Sequence, residues 1–367
     1  MLVEDYSHKR FTIAQIAAAA GVSIATVSKV INQRSDVSAA TRARVERVIA
    51  ERGYVTNRIS VSLKKERMGL VNLVVPSLHA PSCLEILRGV EEMLPQAHLR
   101  LTLTCAHTAE NDERQWLNSV IDGSVEGVVL VLAEETERYW HQLRTQGLPF
   151  VIIDRPGELG PNSPSVSTTH WAGGRAAVQY LHSLGHRHIG FILDSQAMSC
   201  TRDRLAGYRA ALEEARIPFN ADLIHYGSTT LNAGYVETGK LLDQDHPPTA
   251  LLTETDEQAL GAYRALHERG IRIPEEVSVI SFEETILAHT ITPSLTTIRQ
   301  PLYEMGRTAV TMLQNLLEGK ALNGTRVELA TPLIERNSCG PRRRSHSLED
   351  SSPDHRHQWQ KNQIKGA

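Results

Sequence analysis

Residues 12–63 read TIAQIAAAAGVSIATVSKVINQRSDVSAATRARVERVIAERGYVTNRISVSL. Their pattern is helical, with no strand alternation. Thr12 is placed to cap a helix whose apolar positions include Ile13, Ile16 and Ala17. Gly21 breaks it and tolerates a left-handed backbone. Ser23 opens a second helix with Val27, Val30 and Ile31 inward, and Ser38 caps a third carrying Val45, Val48 and Ile49. Gly53 ends it. Three short helices with a tight glycine turn between the first two make a helix-turn-helix unit. Along the second helix the small and polar residues share one side. Ile24, Ala25 and Lys29 can face a major groove, Lys29 donating to guanine and Ile24 touching a thymine methyl. Ser23, Thr26, Ser28 and Asn32, with the amides at the helix start, suit phosphates. A small bundle with no partner is the plainer alternative.

Charge favours the DNA reading. Residues 1–67 hold 12 Lys and Arg against 6 Asp and Glu, whereas the remainder holds 27 against 36. A basic block on an acidic body is the electrostatic cue of a nucleic-acid-binding module.

The pattern changes beyond Gly69. Apolar runs alternate with helical segments: Leu70–Val75, Leu99–Cys105, Gly127–Leu132, Phe150–Asp154, Ile189–Leu193, Leu223–Tyr226, Ala250–Thr253 and Val277–Phe282. Between them lie Leu84–Leu94, Arg175–Leu184, Leu205–Ala215 and Glu257–Arg269. The runs are too apolar for a one-sided sheet, so the fold class is α/β, with doubly wound parallel sheets covered on both faces. The span is long for one such sheet and predicts two lobes with a cleft between them. Ligands of such sheets bind beyond the C-terminal strand ends, so residues just after each run are the pocket candidates. From residue 340 to 367 the pattern is lost and the chain reads as a disordered tail.

Several classes fall away. With 367 residues, 41% apolar and 22% charged, the composition is ordinarily globular. No apolar run approaches a membrane span of roughly 18 residues, and the polar start MLVEDYSHKRF lacks a signal-peptide core. Cys83, Cys105, Cys200 and Cys339 are far apart without CxxC spacing, which predicts reduced thiols and no zinc site. No cofactor or metal is expected, and no catalytic motif is present. Gly234 to Leu241 fits the glycine and lysine spacing of a phosphate loop, but Leu241 stands where Ser or Thr must hold magnesium.

The stretch 12–63 resembles, over its whole length, the headpiece of the lactose-repressor (LacI/GalR) family. The resemblance continues through LEILRGVEEML at 84–94, GGRAAVQYLHSLGHRHIGFI at 173–192, RDRLAGYRAALEEA at 202–215, ALGAYRALHERGIRIPEEVSVISFEE at 259–284 and PSLTTIRQPLYEMGRTAV at 293–310. The THWAGG block is most similar to sugar-utilisation repressors common in actinomycete-like bacteria. The resemblance implies a headpiece over 10–55, a hinge helix and linker over 56–67, and a periplasmic-binding-protein-like body over 68–339. Its N-lobe would take about 69–168 plus 300–327, and its C-lobe about 169–297 plus 328–339. Further implications are a cytoplasmic, nucleoid-associated, homodimeric repressor without membrane contact, bound to a palindromic operator in double-stranded DNA. Asn57 to Leu63 matches the hinge, Asn57 on the DNA backbone and Leu63 wedged into the minor groove. A sugar effector would meet Asp154, Arg204, Thr255 and Glu283. Trp171 would stack on a sugar face or else pack under the cleft rim. His79 and Ser82, after the first strand, are further candidates.

This chain departs from the family pattern at several positions. The usual Gly-Phe-Asp-Asp is Ser281-Phe282-Glu283-Glu284, the Asn before Asp256 is Thr255, and an aromatic near 229–230 is Thr229-Thr230. The Arg before the hinge Ser-Leu is Val61. Control by a partner protein or corepressor, or a degenerate pocket, therefore stands as the alternative to a sugar.

Overall fold

The computed structural model describes residues 13–31, 34, 36–51, 69–106, 120, 125–131, 143–154, 163–194, 198–322 and 324–342. The chain divides into two units, Met1–Met68 and Gly69–Ala367. The expected cap Thr12, the contacts Asn32, Asn57 and Leu63, and the hinge over 56–67 lie outside the described residues.

The first unit holds α1 (Ile13–Ala20), α2 (Ile24–Ile31) and α3 (Ala39–Glu51). Its core is small: Ile16, Ala17, Ala20, Val27, Val30 and Val45 are buried, with Val22, Val37, Val48 and Ile49 packed against them. Gly21 takes φ +63° and turns the chain between α1 and α2. The Ser38 hydroxyl accepts from the Thr41 amide at 3.3 Å and caps α3.

The second unit begins with β1 (Leu70–Val75), α4 (Pro81–Met93), β2 (Arg100–Cys105), β3 (Gly127–Val131), β4 (Phe150–Ile153) and β5 (Ser165–Thr168). It continues with α5 (His170–Ser183), β6 (Ile189–Leu193), α6 (Ser199–Glu214), β7 (Ile224–Tyr226), α7 (Leu231–Leu242), β8 (Ala250–Thr253), α8 (Asp256–Glu268) and β9 (Ser278–Glu283). The last elements are α9 (Ile286–Thr290), β10 (Thr296–Arg299), α10 (Leu302–Leu317), β11 (Arg326–Leu329) and β12 (Leu333–Ile334).

The strands form two six-stranded sheets, ordered β2-β1-β3-β4-β5-β11 and β7-β6-β8-β9-β10-β12. All pairings are parallel except β10 with β12. Alternate residues of the central strands feed opposite cores, which is why runs such as Gly127–Val131 and Phe150–Ile153 are apolar on both faces. Val71, Leu73 and Val75 pack with α4 and α10 on one face, while Val74, Val128, Leu130 and Ile152 line the other. The second sheet is covered likewise by two buried clusters.

The chain passes between the sheets three times, at 168–170, 299–302 and 329–333. The last passage follows Leu329, because β11 pairs with β5 up to Leu329↔Thr168. The expected division between 327 and 328 would cut that strand. The tail boundary also shifts. Arg342 donates its amide to the Leu184 carbonyl at 2.9 Å, and the Gly340 carbonyl meets His186, so the described chain is tied down through residue 342.

Candidate functional site

On α2, Val27 and Val30 are buried while Ile24, Ala25 and Lys29 are exposed along one side. This is the division a groove-facing helix needs. The side chains at the helix start also hold the helix itself. The Ser23 hydroxyl accepts the Thr26 amide at 3.1 Å and shares a hydrogen bond with the Thr26 hydroxyl at 2.9 Å. Ser23 thus caps α2, with the Thr26 hydroxyl beside it. Lys29 lies 2.7 Å from Asp36, whose carboxyl is held below its usual range mainly by that hydrogen bond. Both partners are exposed, so the pair can open for a base at small cost. Ser28 is half-buried on the same helix.

In the second unit the candidate site gathers at the three passages between the sheets. The Thr169 hydroxyl lies 2.8 Å from that of Thr331 and accepts the Thr331 amide at 3.0 Å. The Gln300 amide donates to the Glu283 carbonyl at 2.7 Å. These bonds lace the passages together beside the strand ends.

Asp154 follows β4 at φ +49°. Its Oδ1 is 3.1 Å from Nε2 of His170, the first residue of α5, so a group of the first sheet meets a helix packed on the second. Burial raises the Asp154 pKa, but the charge and hydrogen bond of His170, with Arg204 further off, outweigh it and bring it below its ordinary value.

Arg204 is buried on α6 with its guanidinium 4.6 Å from the centre of the Phe282 ring. It donates to Glu254 Oε1 at 3.1 Å. The other oxygen of Glu254 accepts the Asp194 amide at 2.6 Å and the Thr201 hydroxyl at 2.9 Å. Helix α6 reaches this depth because two glycines sit where it crosses α5. A Cβ on Gly174 would fall 2.2 Å from the Arg204 carbonyl oxygen, and one on Gly207 would fall 2.0 Å from that of Trp171.

Glu283 ends β9 at φ +115°, a backbone region that costs a non-glycine residue about 1–3 kcal/mol. It is buried, and its Oε2 accepts the Asp256 amide at 3.1 Å. Burial, then the Asp256 charge, push its pKa up to about 8, while the Asp256 amide, Arg204 and the Ser82 hydroxyl pull it back. Ser82 belongs to α4 over the first sheet, so this contact joins the lobes across the cleft. Asp256 lies beneath, its carboxylate accepting the Ser281 hydroxyl and the Thr285 amide and hydroxyl, both of the latter at 2.7 Å.

The structure thus brings together Asp154, Arg204, Glu283 and Ser82. It does not do so for every expected residue. The Thr255 hydroxyl caps its own helix, accepting the Gln258 amide at 3.1 Å, and donates to the Thr229 carbonyl of the loop before α7 at 3.0 Å. His79 is exposed in the loop after β1. Trp171 is 46% exposed, with Arg175 standing 6.0 Å from its ring, so it does not pack away under the rim. Glu284 is bound by Arg336, Thr297 and His289 instead of facing the cleft. His170 and Glu254 join the site without having been expected. Glu254 directly follows the fully buried strand β8, where the strand-end rule already places pocket residues.

Among the described residues no group of three or more His, Cys, Asp or Glu could hold a metal ion. Nor is any helix among them long and apolar enough to cross a membrane.

Comparison with known proteins matches residues 12–57 to the family "Bacterial regulatory proteins, lacI family" and residues 178–339 to the periplasmic binding protein-like domain. The HTH-type transcriptional regulator DegA of Bacillus subtilis is 31% identical over 333 residues, covering 90% of this chain and 98% of DegA. Among solved structures, the complex of transcriptional regulator CelR with cellobiose superposes with TM-score 0.70 at 32% identity, covering 90% of this chain and all of that one. The lac repressor dimer bound to operator and the anti-inducer ONPF gives TM-score 0.73 at 28% identity, covering 90% of this chain and 100% of that chain.

Proposed function

We propose, from the premise that the chain belongs to the LacI family of bacterial regulatory proteins, that it is a repressor released from its operator by a sugar in the inter-lobe cleft. It is a DNA-binding transcription regulator, as its relatives are. As such it acts in the cytoplasm, and the proposal places it on the nucleoid. One observation carries the effector reading. Asp154 and Glu283 stand at the ends of β4 and β9 around Arg204, in a chain that also carries a helix-turn-helix. Carboxylates and a guanidinium grip hydroxyl groups through charge-assisted hydrogen bonds.

In this reading a dimer sits on a two-fold operator. Ile24, Ala25 and Lys29 read bases, Ser28, Asn32 and Asn57 face the backbone, and Leu63 wedges into the minor groove at the centre. A sugar held by Asp154, Arg204, Glu283 and Ser82, with Trp171 stacked on it, moves the lobes and separates the two hinges. A complete switch needs a differential affinity of about 5 kcal/mol.

Selection from random duplexes tests the reading. It is expected to return a two-fold consensus from which sugars release the protein. A consensus without symmetry, or one that no sugar in a broad panel releases, overturns it. Leu63→Ala is expected to weaken operator binding far more than nonspecific binding, and an equal loss on both rejects the hinge assignment.

A further inference from the structure

Glu254 is the least expected member of the site. Its side chain is 2% exposed and Arg204's is 7% exposed. Between them, the Asp194 amide, the Thr201 hydroxyl and Arg204 satisfy both oxygens of Glu254. Thr201 lies in the first turn of α6. The carboxylate therefore takes the two features that would draw an anion into the C-lobe side of the cleft, a guanidinium and a hydroxyl at a helix start. Asp154 adds a further negative charge close to Arg204. His170 is engaged with Asp154. A phosphate or carboxylate arriving here finds its cation already neutralised and a carboxylate, Asp154, beside it. The donors of Arg204 are not all engaged. Arg204 Nε is buried without a hydrogen-bond partner. An unpaired buried donor is costly, and a ligand hydroxyl or ring oxygen can accept from it without bringing charge.

We infer that Glu254 sets the ligand class of the cleft, reserving it for an uncharged, hydroxyl-rich molecule and turning away phosphorylated or carboxylated ones. This rests on the effector reading above and narrows it. Selectivity arises by exclusion: an internal carboxylate already occupies the place an anionic ligand would need.

Inorganic phosphate is the probe, since it isolates the anion from the rest of a ligand. Thermal unfolding of the full chain in phosphate is compared with chloride of equal ionic strength. The wild type is expected to show no phosphate-specific rise. Glu254→Gln, which removes the charge and keeps the shape, is expected to bind phosphate about tenfold more tightly than the wild type, and adding Arg204→Gln is expected to abolish the gain. Phosphate stabilisation of the wild type that Arg204→Gln removes overturns the inference, as does a folded Glu254→Gln chain without any gain. Should Glu254→Gln not fold, the wild type decides through matched sugars: sugar phosphates binding as tightly as their parent sugars overturn the inference, and at least tenfold weaker binding supports it. If no uncharged sugar binds while the phosphate results hold, the effector reading fails and only the exclusion of anions by Glu254 stands.

Discussion

Strands β4 and β9 hold the same place in two sheets of matching order, and each ends in an acidic residue at positive φ. The two acids are in opposite states. Asp154 is held below its ordinary pKa beside His170, whereas Glu283 is pushed up to about 8 by burial and by Asp256. At neutral pH the first is a carboxylate that accepts hydrogen bonds and the second a carboxylic acid that can donate one. Topology places a group at a strand end, but its neighbours decide which chemistry it offers. The backbone differs too. Asp154 at +49° lies in the left-handed region that Asp visits, while Glu283 at +115° is strained.

The contrast can be broken at several points. The largest effect is expected from Glu254→Ala, which leaves the Arg204 guanidinium buried without its ion-pair partner. Urea denaturation should show a loss of roughly 3–5 kcal/mol. A loss under about 1 kcal/mol would mean that water reaches the pair and that the floor is not dry. Next comes the pH profile of Glu283. Its raised pKa favours the folded state fully below the ordinary glutamate range, and that advantage is lost as pH rises towards about 8. Wild-type stability should therefore fall by up to about 1.4 kcal/mol per pH unit through that window, and Glu283→Gln should remove the fall.

Asp154 should show the opposite sign and a smaller size. Its lowered pKa gives stability that is present above the ordinary aspartate range and lost as pH drops through the folded value. The advantage of wild type over Asp154→Asn should be present at neutral pH and vanish in acid. Equal slopes for the two variants would erase the contrast. The smallest effect on folding belongs to the headpiece, where the charged pair is exposed. Lys29→Ala should leave the melting temperature almost unchanged and still cost about tenfold in operator affinity.

What was legible in the sequence followed burial. Strands such as Gly127–Val131 and Ile189–Leu193 are apolar on both faces and announce themselves. Ser165–Thr168 and Thr296–Arg299 do not, because their buried hydroxyls serve polar partners: Thr168 lies 3.2 Å from the His170 ring, Thr297 donates to Glu284 at 3.0 Å and Thr296 accepts the Arg336 amide at 3.0 Å. Helix α5 begins at His170, five residues before the expected start at Arg175. Gly173 and Gly174 look like breakers, yet Gly174 is where α6 must come close. Asp154, Arg204 and Glu283 were found through the family pattern. His170 and Glu254 were not, since their roles come from three-dimensional partners 16 and 50 residues away. The capping roles of Ser23 and Thr255 were hidden for a related reason: a hydroxyl that suits a ligand also suits a helix start.

The interleaving of the lobes has a consequence for how the protein is made. Among the described residues the headpiece core draws on the stretch from Ile16 to Ile49, so it can form early, once that stretch leaves the ribosome. The first sheet cannot be completed so early. Its core needs Leu302, Met305, Ala309, Val310 and Leu313, and its outer edge needs β11. Those residues are translated only after almost all of the second sheet. The cleft is thus the last part of the molecule to exist, and a nascent chain is deaf to its effector until β11 and β12 have emerged.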